Sequence, residues 1–77
     1  MSIRVEVVKH PIKEDVQTIN KKYAGMCCVV EEPEFVCGIL GNYLTAGRVV
    51  YVTDDEDLAY RYCCERSDIA VVYQACP

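Results

Sequence analysis

Seventy-seven residues, 52% hydrophobic and 26% charged, suit a single globular domain over residues 1–77 and exclude disordered or collagen-like chains. Eight basic and twelve acidic residues leave a net charge of −4. This disfavours direct nucleic-acid binding, because phosphate repels an acidic surface and counterion release needs Lys/Arg stripes. The longest uncharged apolar stretches, 26–30 and 35–40, are far shorter than the roughly 18 residues of a membrane helix.

Arg4 and Glu6 break the apolar run a secretory signal would need, so the expected location is the cytoplasm, or the host cytoplasm if the chain is viral. Residues 2–9 alternate, with Ile3, Val5 and Val7 on one face and Arg4 and Glu6 on the other. That period of two predicts a half-buried strand. Pro11 suits the first turn of a helix, where its missing N–H costs nothing. Ile12, Val16, Ile19 and Tyr23 then recur at helical spacing and predict a helix over residues 12–24. Lys21 and Lys22 suit the negative end of its dipole, and Gly25 can supply a left-handed cap.

Residues 26–31 form a short β-prone run that ends at Glu32-Pro33. A second strand is expected over 35–40 and 43–44, with Gly38 or Gly41 at a bulge or bend. Thr45-Ala46-Gly47 reads as a turn, and 48–53 as a strong strand through Val49, Val50, Tyr51 and Val52. Together these three pieces predict an antiparallel meander. Thr53 and Glu56 have the spacing of a capping box for a helix over 54–65, whose inner face is Leu58, Ala59, Tyr62 and Cys63. A final strand is expected over 69–74.

The predicted order is β-α-β-β-β-α-β, an α+β domain. It should carry a mixed or antiparallel sheet of four or five strands with both helices packed on one face. The two halves resemble ferredoxin-like splits, an analogy of fold that carries no function. Ile3, Val5, Val7, Val16, Ile19, Leu58, Tyr62, Val71 and at least one of Val49 and Val50 should be buried.

Six cysteines stand at 27, 28, 37, 63, 64 and 76. Adjacent cysteines diverge on a strand or a helix. One of Cys27/Cys28 and one of Cys63/Cys64 should therefore face the core, the other solvent or a partner. Without a secretion signal, most should be reduced, serving as small buried hydrophobes. Zinc prefers four ligands, two of them close in sequence, and nothing has that spacing; no metal or other cofactor is expected. A cluster of Cys28, Cys37, Cys64 and Cys76 is the remaining arrangement, and no C-x-x-C supports a redox site.

Asp54-Asp55-Glu56-Asp57 fails the calcium-loop pattern, since Leu58 and Ala59 fall where an acid and a glycine are required. His10 lacks an orienting partner in sequence, and Ser2 and Ser67 sit in no nucleophile context. An enzyme is not expected. Six tyrosines accompany one Phe and no Trp. Tyr23, Tyr62 and Tyr73 suit the core boundary, while Tyr43, Tyr51 and Tyr60 are freer to meet a partner.

Charge is unevenly spread, +2 over residues 1–25 and −6 beyond. The acids gather in two knots, Glu31-Glu32-Pro33-Glu34 and Asp54-Asp55-Glu56-Asp57. With Tyr60 beside the second, these seven acids predict a partner-binding rim that meets a basic protein surface. In size, charge and lack of catalytic motif the chain resembles phage-encoded inhibitors of host defence, including anti-CRISPR proteins. That resemblance implies an inhibitor that docks on a basic or nucleic-acid-binding surface of a protein partner. The alternatives are a cysteine-based metal or redox module, and a structural accessory subunit that can join as a homodimer through an edge strand.

Overall fold

A computed structural model describes residues 2–66 and 70–76. Seven elements follow one another: β1 (Val5–Val7), β2 (Lys13–Asp15), α1 (Val16–Lys22), β3 (Cys27–Gly38), β4 (Gly41–Thr53), α2 (Glu56–Glu65) and β5 (Ala70–Gln74). Together they form an α+β domain in which two helices accompany a five-stranded sheet whose pairings are all antiparallel. The strand order is β1-β4-β3-β5, with β2 pairing along the same edge of β4 as β1.

The expected meander of three strands is instead one long hairpin. β3 and β4 pair from Cys27↔Thr53 out to Gly38↔Gly41, so residues 45–47 are no turn. Gly47 is there for closeness: a Cβ on it would overlap Val30 Cγ1, the methyl of a fully buried side chain. Opposite it, Glu32 and Pro33 are accommodated by a register shift between Glu31 and Glu34, with Glu32 at φ 50. A bulge absorbs a proline that a regular ladder could not, because the proline has no N–H to donate.

The first helix is shorter than the apolar stripe implies. Residues 13–15 pair with Arg48, Gly47 and Ala46 before the helix begins. Asp15 then caps it, its Oδ1 accepting from Thr18 N at 2.9 Å. Pro11 and Ile12 therefore lie ahead of α1, and Ile12 is exposed. Gly25 does adopt a left-handed conformation, φ 77, just beyond the helix. For α2 the cap is Asp55 rather than Thr53: Asp55 Oδ1 accepts from Asp57 N at 2.9 Å and from Leu58 N at 3.4 Å. Thr53 Oγ1 accepts from Asp55 N one step earlier, at 3.1 Å.

The helices cover opposite faces, not one. Ile19 of α1 packs with Cys28, Val30, Leu44, Val49 and Val52. Ala59 of α2 packs with Cys27, Val29, Val50 and Tyr51. Successive β3 residues point to opposite faces, so a helix on each side buries all four of Cys27 through Val30. This corrects the expectation for Cys27 and Cys28, which both become core residues. Cys63 is half-buried and Cys64 exposed, as expected of a helical pair.

Ile3, Val5 and Val7 are about half exposed rather than buried. β1 pairs only with the end of β4, and neither helix reaches over it. Of the remaining core expectations, Ile19, Val49 and Val50 are buried, while Val16, Leu58, Tyr62 and Val71 are half-buried. Ile69, expected as the first residue of the last strand, and Ser67 and Asp68 lie outside the described residues.

Candidate protein-binding site

The two acidic knots do not share an edge. Glu31 lies opposite Arg48, whereas Asp54 follows Thr53, five residues further along β4. At strand rise this is a separation of about 17 Å.

The first knot is neutralised from within. Glu31 lies 2.8 Å from Arg66 Nε and 3.8 Å from Arg48 Nη2, and Glu32 lies 3.4 Å from that same nitrogen. Glu34 pairs with Lys13. Arg66 also donates to the Tyr62 hydroxyl at 3.0 Å and lies 5.3 Å from the centre of that ring. Tyr62 in turn stacks on Tyr51, centroids 4.1 Å apart and planes 6° off parallel. Glu31 beside it raises the Arg66 pKa still further, mainly through the hydrogen bond. These side chains clasp the end of α2 to the hairpin, which is why Tyr51 is buried rather than displayed.

The second knot divides in two. Asp54 is committed to the β1 end, its Oδ1 accepting from Arg4 N at 3.0 Å while its own N donates to Arg4 O at 3.2 Å. Asp55 is committed to the helix cap. Glu56 and Asp57 are exposed in the first turn of α2, and Tyr60, 53% exposed, stands one turn further on. Among the described residues neither Glu56 nor Asp57 forms an ion pair. The negative field is felt inside the protein: burial first, then Glu56, Asp55 and Asp54, push the Cys27 thiol pKa up. Of the eight residues expected to form a rim, the structure leaves Glu56, Asp57 and Tyr60 together as a free acidic and aromatic surface.

Cysteine chemistry is dispersed. Cys28 lies under α1, Cys64 is exposed on α2 on the other face, Cys37 is far out on the hairpin, and Cys76 is exposed beside Asn20 of α1. The four-cysteine cluster therefore does not assemble. Among the described residues no three His, Cys, Asp or Glu side chains converge as ligands. Burial pushes the Cys28 pKa to about 12 and also raises that of Cys63. Since the thiolate is the reactive form, a maleimide should label Cys37, Cys64 and Cys76 within minutes in the native protein. Cys27 and Cys28 should react only after unfolding. Mass spectrometry of the quenched reaction checks this, and early labelling of Cys28 would show that α1 opens readily.

The feature that sequence reasoning missed is the outer half of the hairpin. Beyond Glu34↔Ala46, β3 and β4 pair only with each other, because β5 stops opposite Glu31 and β2 opposite Ala46. Phe35, Val36, Ile39, Leu40 and Tyr43 on this arm are half to fully exposed. The signal was present in sequence: residues 35–47 contain no charged side chain, and glycines at 38 and 41 bracket a two-residue turn. Gly41 takes φ 120, a conformation that favours glycine. No protein-family model, curated protein or solved structure matches this chain.

Proposed function

We propose that this chain is a small acidic protein-binding module that docks on a basic surface of a partner protein. An inhibitor occupying a nucleic-acid-binding channel is the form of partnership that suits it best. The observation that carries this reading is the start of α2, where, among the described residues, Glu56 and Asp57 form no ion pair and lie beside an exposed Tyr60. Unneutralised carboxylates next to an aromatic ring combine electrostatic steering with a contact residue favoured at interfaces. The other acids of the two knots, Glu31, Glu32, Glu34, Asp54 and Asp55, are engaged within the fold instead, which narrows the proposed contact from two knots to one helical turn. Net charge of −4 directs the same surface away from nucleic acid itself.

The test is affinity capture on the immobilised protein at low and high salt, beside Glu56→Lys/Asp57→Lys bait. A strongly basic protein should be retained at low salt, released at high salt and lost with the double variant. Capture of acidic proteins alone, or equal capture by both baits, would contradict the proposal.

A further inference from the structure

The arm formed by residues 34–46 is a two-stranded ribbon that leaves the body of the domain. An isolated hairpin is marginal in water, and three strands or a packed face are usually needed to hold one. Here neither helix extends over the tip, where Ile39 and Leu40 are fully exposed. Leu44 is the one arm side chain that reaches the core beneath α1. Phe35 lies opposite Leu44 and Val36 opposite Tyr43, so apolar side chains emerge from both faces of the ribbon.

We propose that this arm is a dimerisation element whose occupant is the arm of a second copy of the chain, packed across a two-fold axis. Three observations favour a second copy over a different protein. The first is charge. The chain carries twenty charged side chains and a net −4, yet residues 35–47 carry no charge at all. Two copies can therefore meet here without bringing like charges together, whereas a steered partner needs charge to read.

The second is area. Taking about 200 Å² for a whole Phe or Tyr and somewhat less for Val, Ile and Leu, the exposed parts of Phe35, Val36, Ile39, Leu40 and Tyr43 present roughly 600 Å² over the two faces together. A standard interface takes about 800 Å² from each partner, so two arms meeting through one face and one edge make a contact at the small, weakly associating end of specific interfaces, one that forms at tens of micromolar. Such a patch is at the upper limit of what a monomer leaves in water.

The third is the backbone. Toward the tip the outer edges of both strands are open among the described residues, and neither lysine nor proline guards them between 35 and 47. Natural sheets block exposed edges with those residues when pairing is to be avoided. An antiparallel contact between identical edges is self-complementary under two-fold symmetry and closes at two copies. The inference rests on the arm alone and is independent of the acidic surface on α2.

The experiment is light scattering behind size exclusion on the full chain at tens of micromolar, beside Ile39→Asp/Leu40→Asp. The chain should run at twice its 8.7 kDa and the variant at 8.7 kDa, with an unchanged far-ultraviolet spectrum, since neither side chain packs in the fold. A second measurement leaves the tip intact. In a Cys64→Ser/Cys76→Ser background Cys37 is the one exposed cysteine, and a short bismaleimide should join two chains through it. A monomeric wild type, a variant that stays dimeric, open-ended larger assemblies, or a dimer that Cys37 does not cross-link would each overturn the proposal.

Discussion

Ile19→Ala should cost about 3 kcal/mol, the largest loss expected from any single truncation in α1. Ile19 is fully buried and is the one residue of the seven-residue helix to be so. Its side chain meets Cys28, Val30, Val49 and Val52 across the sheet. Removing three carbons there loses the transfer energy and leaves a cavity that a sheet cannot close, an effect of about 2–5 kcal/mol for Ile→Ala. A domain of this length has only about 4–11 kcal/mol in total. In urea, with a slope of about 1–1.5 kcal/mol/M, the midpoint should fall by roughly 2–3 M. Val7→Ala is the internal comparison: Val7 is 57% exposed at the edge strand, so its loss should stay below about 1 kcal/mol. Equal losses from the two would mean that α1 is not seated on the sheet.

Stability should also fall steeply in alkali. Burial holds the Cys28 thiol at a pKa of about 12, against 9.0 when free, and burial likewise raises Cys27, Cys63, Tyr23 and Tyr73. Below pH 9 the Cys28 thiol is protonated in folded and unfolded chains alike, so its preference for the core is fully available. Above pH 9 the unfolded chain ionises while the folded one resists. Stability therefore drains away until the pH reaches about 12. Three pH units correspond to at most about 4 kcal/mol from this one group. Thermal melts from pH 7 to 11 under reducing conditions should show a falling Tm, and Cys28→Ala should flatten the decline. A Tm that holds steady to pH 11 would show that the thiol is not sealed beneath α1.

What the sequence makes legible, and what it conceals, has a consistent physical basis. Periodicity locates α2, β5 and the inner halves of β3 and β4, residues 27–31 and 48–53, because their apolar residues enter or border the core. It fails for residues 2–9, where the alternation of Ile3, Val5 and Val7 is that of a covered strand but no helix lies over β1. It fails again at Pro11 and Ile12: the stripe continues the pattern of α1, yet the backbone first pairs with Arg48 through Ala46. Local pattern cannot reveal such a long-range pairing.

Gly47 and Pro33 look like turn residues, which they often are. Here they serve a close approach to Val30 and a bulge, so the strands run on through them. The acidic knots were visible but their fates were not. Whether Glu31 faces solvent or Arg66 depends on residues 35 positions apart, and only the folded chain brings these together. The cysteine pairs illustrate the same limit, since one helix on each face buries neighbours that a one-sided sheet would have split.

The central proposal, a basic partner met at the start of α2, is tested most directly by association kinetics. The measurement is the association rate with the captured partner at two salt concentrations, for the wild type, Glu56→Lys/Asp57→Lys and Lys21→Glu. Exposed charges at a rim chiefly govern encounter. The double reversal should slow association by about tenfold at low salt, with the difference shrinking as screening rises. It spares Asp55, so the helix cap survives and the fold is retained. Lys21, exposed on α1 under the opposite face, should leave the rate essentially unchanged. Salt-independent association, or equal slowing by both variants, would contradict docking through Glu56, Asp57 and Tyr60.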